Sequence, residues 1–338
     1  MKIGQVAAKT DPGRKRRGNE DSFVCRPPLF AIADGMGGAQ AGEVASALAV
    51  EPLNESRVDA GGERKLAELV QEANRRVHDR ATNDAATSGM GTTITVALVE
   101  PDGHIAFGHV GDSRAYRLRG DALEQVTNDH SLVAELVRRG ELSPEEAEVH
   151  PQRSVITRAL GTDPDIDVDT FTVDAQPGDV YLICSDGLSD MVDRGELESI
   201  MRAQRANLDD MAKALVQAAN RAGGEDNITA VLFEIAEGEM SQEPDEATAE
   251  QATLEANAVH IEEEDTLHPE DGVMPPPALP PRDDTMVVPA SAIQAAMSEA
   301  AAEEEEYVAG AAHKALALLV ILVLILLIVV LVWWGLAR

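Results

Sequence analysis

Carboxylates beside glycine or asparagine recur along the first 230 or so residues, each at the margin of an apolar run. The run 29–33 leads into Asp34-Gly35-Met36-Gly37-Gly38, 107–110 into Gly111-Asp112-Ser113, and 180–184 into Ser185-Asp186-Gly187. Two more stand before apolar runs: Asn19-Glu20-Asp21 precedes Ser22-Phe23-Val24, and Asp226-Asn227 precedes 228–234. A carboxylate at a strand end leaves the core wall and can point into a cleft at the sheet edge. The neighbouring glycine keeps bulk away and lets a backbone carbonyl approach an ion. One Asp-Gly is ordinarily a turn; this many at strand ends argue for a shared site. Gathered carboxylates repel one another unless cations sit among them. All-oxygen ligation selects hard ions, Mg²⁺ or Mn²⁺, over zinc. The 8 histidines are scattered, with no pair at ligand spacing.

A pair of such ions lowers the pKa of bound water and clamps the attacking and leaving oxygens of an in-line displacement, which suits phosphoryl groups. An arginine fork should then hold the phosphate. The basic stretch Arg14-Lys15-Arg16-Arg17 lies directly before the Asn19-Glu20-Asp21 group. Spacing alone does not choose among its arginines.

These residues need elements to carry them. Strand signals, short and β-branched or alternating between turn residues, fall at 29–33, 92–99, 105–110, 114–119, 168–173, 179–184 and 228–234. Helical periodicity marks 42–51, 63–82, 131–138 and 207–221. Ser131 opens the third of these, with Glu135 near capping-box spacing. Several strands follow one another without a helix between them, as in 92–119. That favours antiparallel sheets with helices outside over a doubly wound parallel sheet.

Charge divides the 338-residue chain. Of 60 acidic residues against 28 basic, 20 lie in 237–312, where Arg282 is the one basic residue. No basic face remains for a nucleic-acid duplex. The segment 237–312, with its acidic runs and Pro275-Pro276-Pro277, cannot bury enough apolar area to offset ordering entropy and reads as a disordered tether. The uncharged run 315–334 spans about 30 Å as a helix, has no polar face and ends in Trp333-Trp334, as expected of a membrane span. Residues 1–18 lack the apolar core of a signal peptide. A single-pass inner-membrane protein with a cytoplasmic domain over 1–236 is therefore expected. Cys25 and Cys184, in apolar strand-like settings, suit a reducing compartment as buried, inert thiols.

The order of motifs resembles the bacterial branch of the PPM family, the metal-dependent type 2C protein serine/threonine phosphatases. Arg16-x-x-Asn19-Glu20-Asp21, Asp34-Gly35-Met36-Gly37-Gly38, Gly91-Thr92-Thr93, Gly111-Asp112-Ser113-Arg114, His150-Pro151, Ser185-Asp186-Gly187 and Asp226-Asn227 carry it, over about residues 3–235. The resemblance implies an α+β fold, a sandwich of two antiparallel sheets flanked by helices (αββα), with two Mn²⁺ or Mg²⁺ ions at one end. Asp34 would bridge the ions, with the Gly35 carbonyl on the second and Asp186 and Asp226 on the first. Asp21 would act mainly through metal-bound water, Asp112 would share a third, weaker ion with Asp186, and Arg16 would grip the phosphate. Residues 131–161 resemble a mobile flap beside the cleft. Met36 stands where many eukaryotic members carry a proton-donating histidine, so the general acid is not named by the motifs. The embedded His109 reads as core.

The expected reaction is direct attack of metal-activated water on phosphoserine or phosphothreonine by a monomeric catalytic domain. The expected partners are phosphorylated proteins, among them membrane Ser/Thr kinases. Thr266 and Thr285, each behind an Asp, are open to a kinase and then to forkhead-associated domains; the alternative is ordinary threonines of the tether. The competing readings are a phosphopeptide-binding module without catalysis, and an enzyme dedicated to one regulator such as an anti-sigma antagonist.

Overall fold

The computed structural model describes residues 1–37, 41–56 and 60–238. Gly38, residues 239–312 of the acidic segment, Thr266, Thr285 and the apolar run 315–334 lie outside them. Among the described residues no helix is long and apolar enough to cross a membrane.

The elements run β1 (Lys2–Asp11), β2 (Asp21–Arg26), β3 (Leu29–Met36), α1 (Ala41–Glu55), α2 (Gly62–Asn83), β4 (Gly91–Thr92), β5 (Ile94–Val99), β6 (His104–Val110), β7 (Arg114–Arg119) and β8 (Ala122–Gln125). There follow α3 (Leu132–Arg139), α4 (Pro144–Glu148), β9 (Asp169–Asp174), β10 (Val180–Cys184), α5 (Asp186–Ser189), α6 (Arg194–Ala203), α7 (Leu208–Ala222) and β11 (Ile228–Ala236). One sheet is ordered β1-β11-β10-β7-β8, the other β2-β3-β5-β6-β9, and β4 pairs with the end of β3. All these pairings are antiparallel.

The central strands are apolar on both faces, and their period of two sorts side chains into separate cores. On β3, Phe30 and Ile32 face the other sheet while Ala31 and Ala33 lie against α1 and α2. On β11, Val231, Phe233 and Ile235 face inward, while Ile228, Ala230 and Leu232 join Leu208, Met211 and Leu215 of α7. Between the sheets Phe30 stacks on Phe233 with centroids 4.3 Å apart, and Tyr181 stacks on Phe233 at 5.0 Å. The result is helices, sheet, sheet, helices: the expected αββα sandwich.

Several expectations need correction. The span 92–99 is broken at Thr93 into β4 and β5, and β3 runs on through Asp34 to Met36 because β4 supplies it a new partner. Asp34 therefore lies within a strand, not past its end. Ser131 does cap α3, accepting from Ala134 N–H, but the capping box belongs to Ser143 and Glu146 at α4. The expected flap is shorter than 131–161: a bridge between Ser131 and Ile156 closes its base. Thr92 and Leu160 exchange backbone hydrogen bonds, which puts Ala159 and Leu160 in the core. Cys184 is buried but Cys25 is only half-buried; loss of hydration pushes both thiols up to about 12.

Phe233 touches aromatic rings from both sheets, so Phe233→Ala should lower the unfolding free energy by about 3–5 kcal/mol, read from denaturant titration.

Candidate active site

Strands β2 and β3 pair with Asp21 directly opposite Asp34. Cross-strand partners place their side chains on one face with Cβ atoms about 4.5–5.5 Å apart, a destabilising arrangement for like charges. The backbone around Asp34 is clamped from the next strand. Thr92 Oγ1 donates to the Asp34 carbonyl at 2.8 Å, and Thr93 N–H donates to it at 2.9 Å. Thr93 Oγ1 accepts from Asp34 N–H at 3.0 Å. Gly35 must be glycine: a Cβ there would meet the Gly42 carbonyl oxygen at 2.1 Å and that of Glu20 at 2.6 Å.

Asp186 opens α5 immediately after β10. At Gly187 a Cβ would lie 2.1 Å from the Asn227 carbonyl oxygen, so the missing side chain lets α5 press against the turn that carries Asp226. Asp112 follows Gly111, whose φ of +112° and contact with Thr93 exclude a side chain. Arg16 Nη2 donates to Asp226 Oδ2 at 2.8 Å. The loop that carries Arg16 is held by Asn227, whose Nδ2 donates to the carbonyls of Pro12 (3.1 Å) and Gly18 (2.9 Å) and whose Oδ1 accepts from Glu20 N–H (2.8 Å).

One cleft is lined by Arg16, Asp34, Gly35, Asp112, Asp186 and Asp226, with Glu20 and Thr93 beside them and Met36 and Ile156 as an apolar wall. Asp21 is not part of that lining; it stands opposite Asp34 on the paired strand. Burial and the facing carboxylates of Asp21, Asp186, Asp226 and Asp112 hold the Asp34 carboxyl well above the usual range. Burial, then Asp112, Asp190 and Asp226, do the same to Asp186. Burial is also the leading cause for Asp21, pushed up to about 6, and Asp112, pushed up to about 7. Asp21 Oδ1, Asp112 Oδ1 and Asp186 Oδ1 are buried without a hydrogen-bond partner. Buried oxygens lacking donors and carboxylates that repel one another are what a cation would satisfy, so these residues fit hard ions. Among the described residues no three Asp, Glu, His or Cys side chains close into a ready-made coordination shell. The looser array suits ions that retain water and take backbone oxygens.

No motif marks Asp190, although it falls four residues after Asp186, one helical turn on. Its carboxyl is raised by burial and bears on both Asp112 and Asp186. Glu20 was part of a motif but had no role until the structure placed it on the cleft wall. His109 is core, as expected: Thr95 Oγ1 sits 2.9 Å from Nδ1, the Asn128 carbonyl lies 3.1 Å from Nε2, and burial pushes its pKa down to about 4. No histidine lines the cleft among the described residues.

A two-sheet sandwich with a carboxylate cleft at one end defines a fold with a metal-compatible site. The family described as Protein phosphatase 2C matches residues 19–259. The serine/threonine phosphatase stp of Listeria innocua is 41% identical over 238 residues, covering 67% of this chain and 94% of its own length. The crystal structure of the Mycobacterium tuberculosis serine/threonine phosphatase PstP/Ppp superposes with a TM-score of 0.66 at 38% identity, covering 70% of this chain and all of that one (100%). A PstP catalytic domain solved with 2 manganese ions gives a TM-score of 0.64 at 35% identity, over 70% of this chain and 99% of that one. The chain belongs to the protein phosphatase 2C family and is a phosphatase of that class.

Removing one charge from the cluster should stabilise the metal-free protein. In Asp34→Asn, chelator-treated protein should melt several degrees higher than wild type; about 1 kcal/mol moves Tm by roughly 2–4 °C at this size. The raised carboxyls bind protons more tightly folded than unfolded, so their contribution is full below the unfolded value of 3.8 and is lost as pH rises from there to about 6 and 7, the values of Asp21 and Asp112. The margin of Asp34→Asn over wild type should therefore widen from pH 5 to pH 8 in parallel melts.

Proposed function

We propose that the chain hydrolyses phosphoserine and phosphothreonine in proteins at a pair of Mn²⁺ or Mg²⁺ ions. The ions would be held by Asp34, Asp186, Asp226 and the Gly35 carbonyl, with Asp21 behind them and Asp112 at a third, weaker ion. The observation that carries this reading is the set of buried carboxylate oxygens without donors around one cleft. A relative of the same fold has been solved with 2 manganese ions, in keeping with it. Bound ions would ionise water and neutralise charge on the phosphoryl oxygens.

The chain's own groups do the rest. The Arg16 guanidinium stands on the cleft wall and offers a planar fork to the phosphate. Its ion pair with Asp226 would set the phosphate grip beside a ligand of the ions. Met36 and Ile156 exclude water from one side. Met36 has no proton to give, and among the described residues no histidine lines the cleft to protonate the leaving oxygen. Neither Cys25 nor Cys184 lines the cleft, so no thiol is placed there to attack.

The tethered reading extends this function. The run 315–334 is proposed to insert in the inner membrane, with the catalytic domain on the cytoplasmic side at the end of the acidic segment 237–312. Confinement to one membrane would raise the effective concentration of membrane Ser/Thr kinases as substrates without new contacts. Thr266 and Thr285 are proposed as targets of those kinases and docking points for forkhead-associated domains.

Manganese should switch on cleavage of an aryl phosphate, and Asp186→Asn should abolish it with the circular dichroism spectrum unchanged. A folded wild type that takes up no metal and cleaves nothing would favour the phosphopeptide binder instead. Deleting 313–338 should leave turnover of soluble phosphopeptides unchanged and slow dephosphorylation of membrane kinases in vesicles; equal loss on both substrates would remove the tether argument.

A further inference from the structure

Behind the cleft, a chain of side-chain hydrogen bonds ends on Asp21. Thr229 Oγ1 donates to Asp21 Oδ2 at 2.5 Å, and Ser185 Oγ donates to the same oxygen at 2.9 Å. Thr10 Oγ1 lies 2.7 Å from Thr229 Oγ1, across a register pair that joins β1 to β11. Asn19 Nδ2 donates to Thr10 Oγ1 at 2.7 Å, while Asn19 Oδ1 accepts from Asp21 N–H at 3.1 Å.

Proton counting gives this chain a direction. A hydroxyl has one proton to donate. Thr229 gives its proton to the carboxylate, so Thr10 must donate to Thr229. Thr10 is in turn the acceptor of the Asn19 amide. The Asn19 side chain cannot be turned over, because Asp21 N–H requires an oxygen at Oδ1. Ser185 Oγ accepts from Thr229 N–H at 3.0 Å, and the carboxylate is a nearer acceptor for its own proton than the Asn227 carbonyl at 3.2 Å. Every donor thus points toward Asp21 Oδ2, and Oδ1 is left buried and unpartnered.

We propose that Thr229, backed by Thr10 and Asn19 and flanked by Ser185, is a positioning residue that fixes the Asp21 carboxylate so that Oδ1 serves the cation site. The proposal rests on the metal reading given above. Asp34 stands directly across the strand pair, and its charge would otherwise turn Asp21 away. Two donors on one oxygen hold the rotamer, and aligned hydroxyls polarise one another toward the anion.

The test is calorimetric titration of manganese into metal-stripped full-length protein, with the metal-free melting temperature read alongside. Thr229→Val keeps the shape and removes the proton; manganese affinity should fall by about 10–100-fold, the usual effect of losing a group that orients a ligand. Thr229→Ser should restore most of it, which a purely packing role for the threonine methyl would not do. Thr10→Val, at a half-buried edge position, should weaken binding by a smaller factor and carries the test if Thr229→Val does not fold. Wild-type affinity in Thr229→Val, equal loss in Thr229→Ser, or unchanged affinity in Thr10→Val would overturn the relay. A wild type that binds no manganese would instead overturn the reading of the site beneath it.

Discussion

The interaction on which this structure turns is an unfavourable one: two carboxylates, Asp21 and Asp34, held directly opposite each other on paired strands. Nothing local favours that arrangement. It persists because the strands that carry it are fixed by apolar layers on both faces, with Phe30 and Ile32 toward the partner sheet and Ala31 and Ala33 toward α1 and α2. Burial then magnifies the repulsion, since the same low polarity that rewards the apolar side chains penalises each ionised oxygen. The fold offsets part of this with donors: two hydroxyls on Asp21, the Arg16 guanidinium on Asp226. Asp112 Oδ1 and Asp186 Oδ1 stay without any. A site that needs a cation to be comfortable is one that stability alone would not retain.

Bringing these groups together is a problem of backbone approach more than of side-chain choice. Four separate stretches reach one end of the sandwich: the β2–β3 pair, the 111–113 turn, the start of α5 and the 224–227 turn. Three glycines set the closest approaches. Gly35 lies under the carbonyls of Gly42 and Glu20, Gly187 under that of Asn227, and Gly13 under that of Asp226, at 2.2 Å from an added Cβ. At each, any side chain would push one carboxylate-bearing segment off another. The glycines flanking the acidic motifs are therefore packing devices as much as room for an ion.

This explains what the amino-acid sequence disclosed and what it hid. The buried strands β3, β5, β6, β10 and β11 and the amphipathic helices α2 and α7 were legible because their periodicity is enforced by two-sided or one-sided burial. Strand β1 was not. It is an edge strand with Lys2 and Lys9 and a register shift between Ile3 and Val6, so its pattern follows solvent, not core. The short α5 and the β3 extension escaped because tertiary pairing, not propensity, creates them. Among site residues, the aspartates flanked by glycine stood out, and the cleft contains Asp34, Asp112, Asp186 and Asp226 together. The recessed place of Asp21 depended on strand register, which a one-residue slip would have reversed. Asp190 was hidden because an aspartate at the C-terminal cap of a short helix carries no local signature of burial.

Asn227 shows how one polar side chain can unite the two chemical halves of the site. The stretch between β1 and β2 has no sheet or helix of its own to satisfy its backbone, and buried backbone groups need partners. Asn227 supplies three of them, to Pro12, Gly18 and Glu20, and Gly224 accepts from Arg14 N–H at 2.7 Å. Arg16 thus projects from a backbone pinned to the same turn that presents Asp226. The Arg16 guanidinium and the Asp226 carboxylate are thereby held to one turn, 2.8 Å apart. The stretch 132–155, by contrast, is joined at its base by the Ser131–Ile156 bridge, contributes nothing to the cleft lining and displays Val149 at 77% exposure.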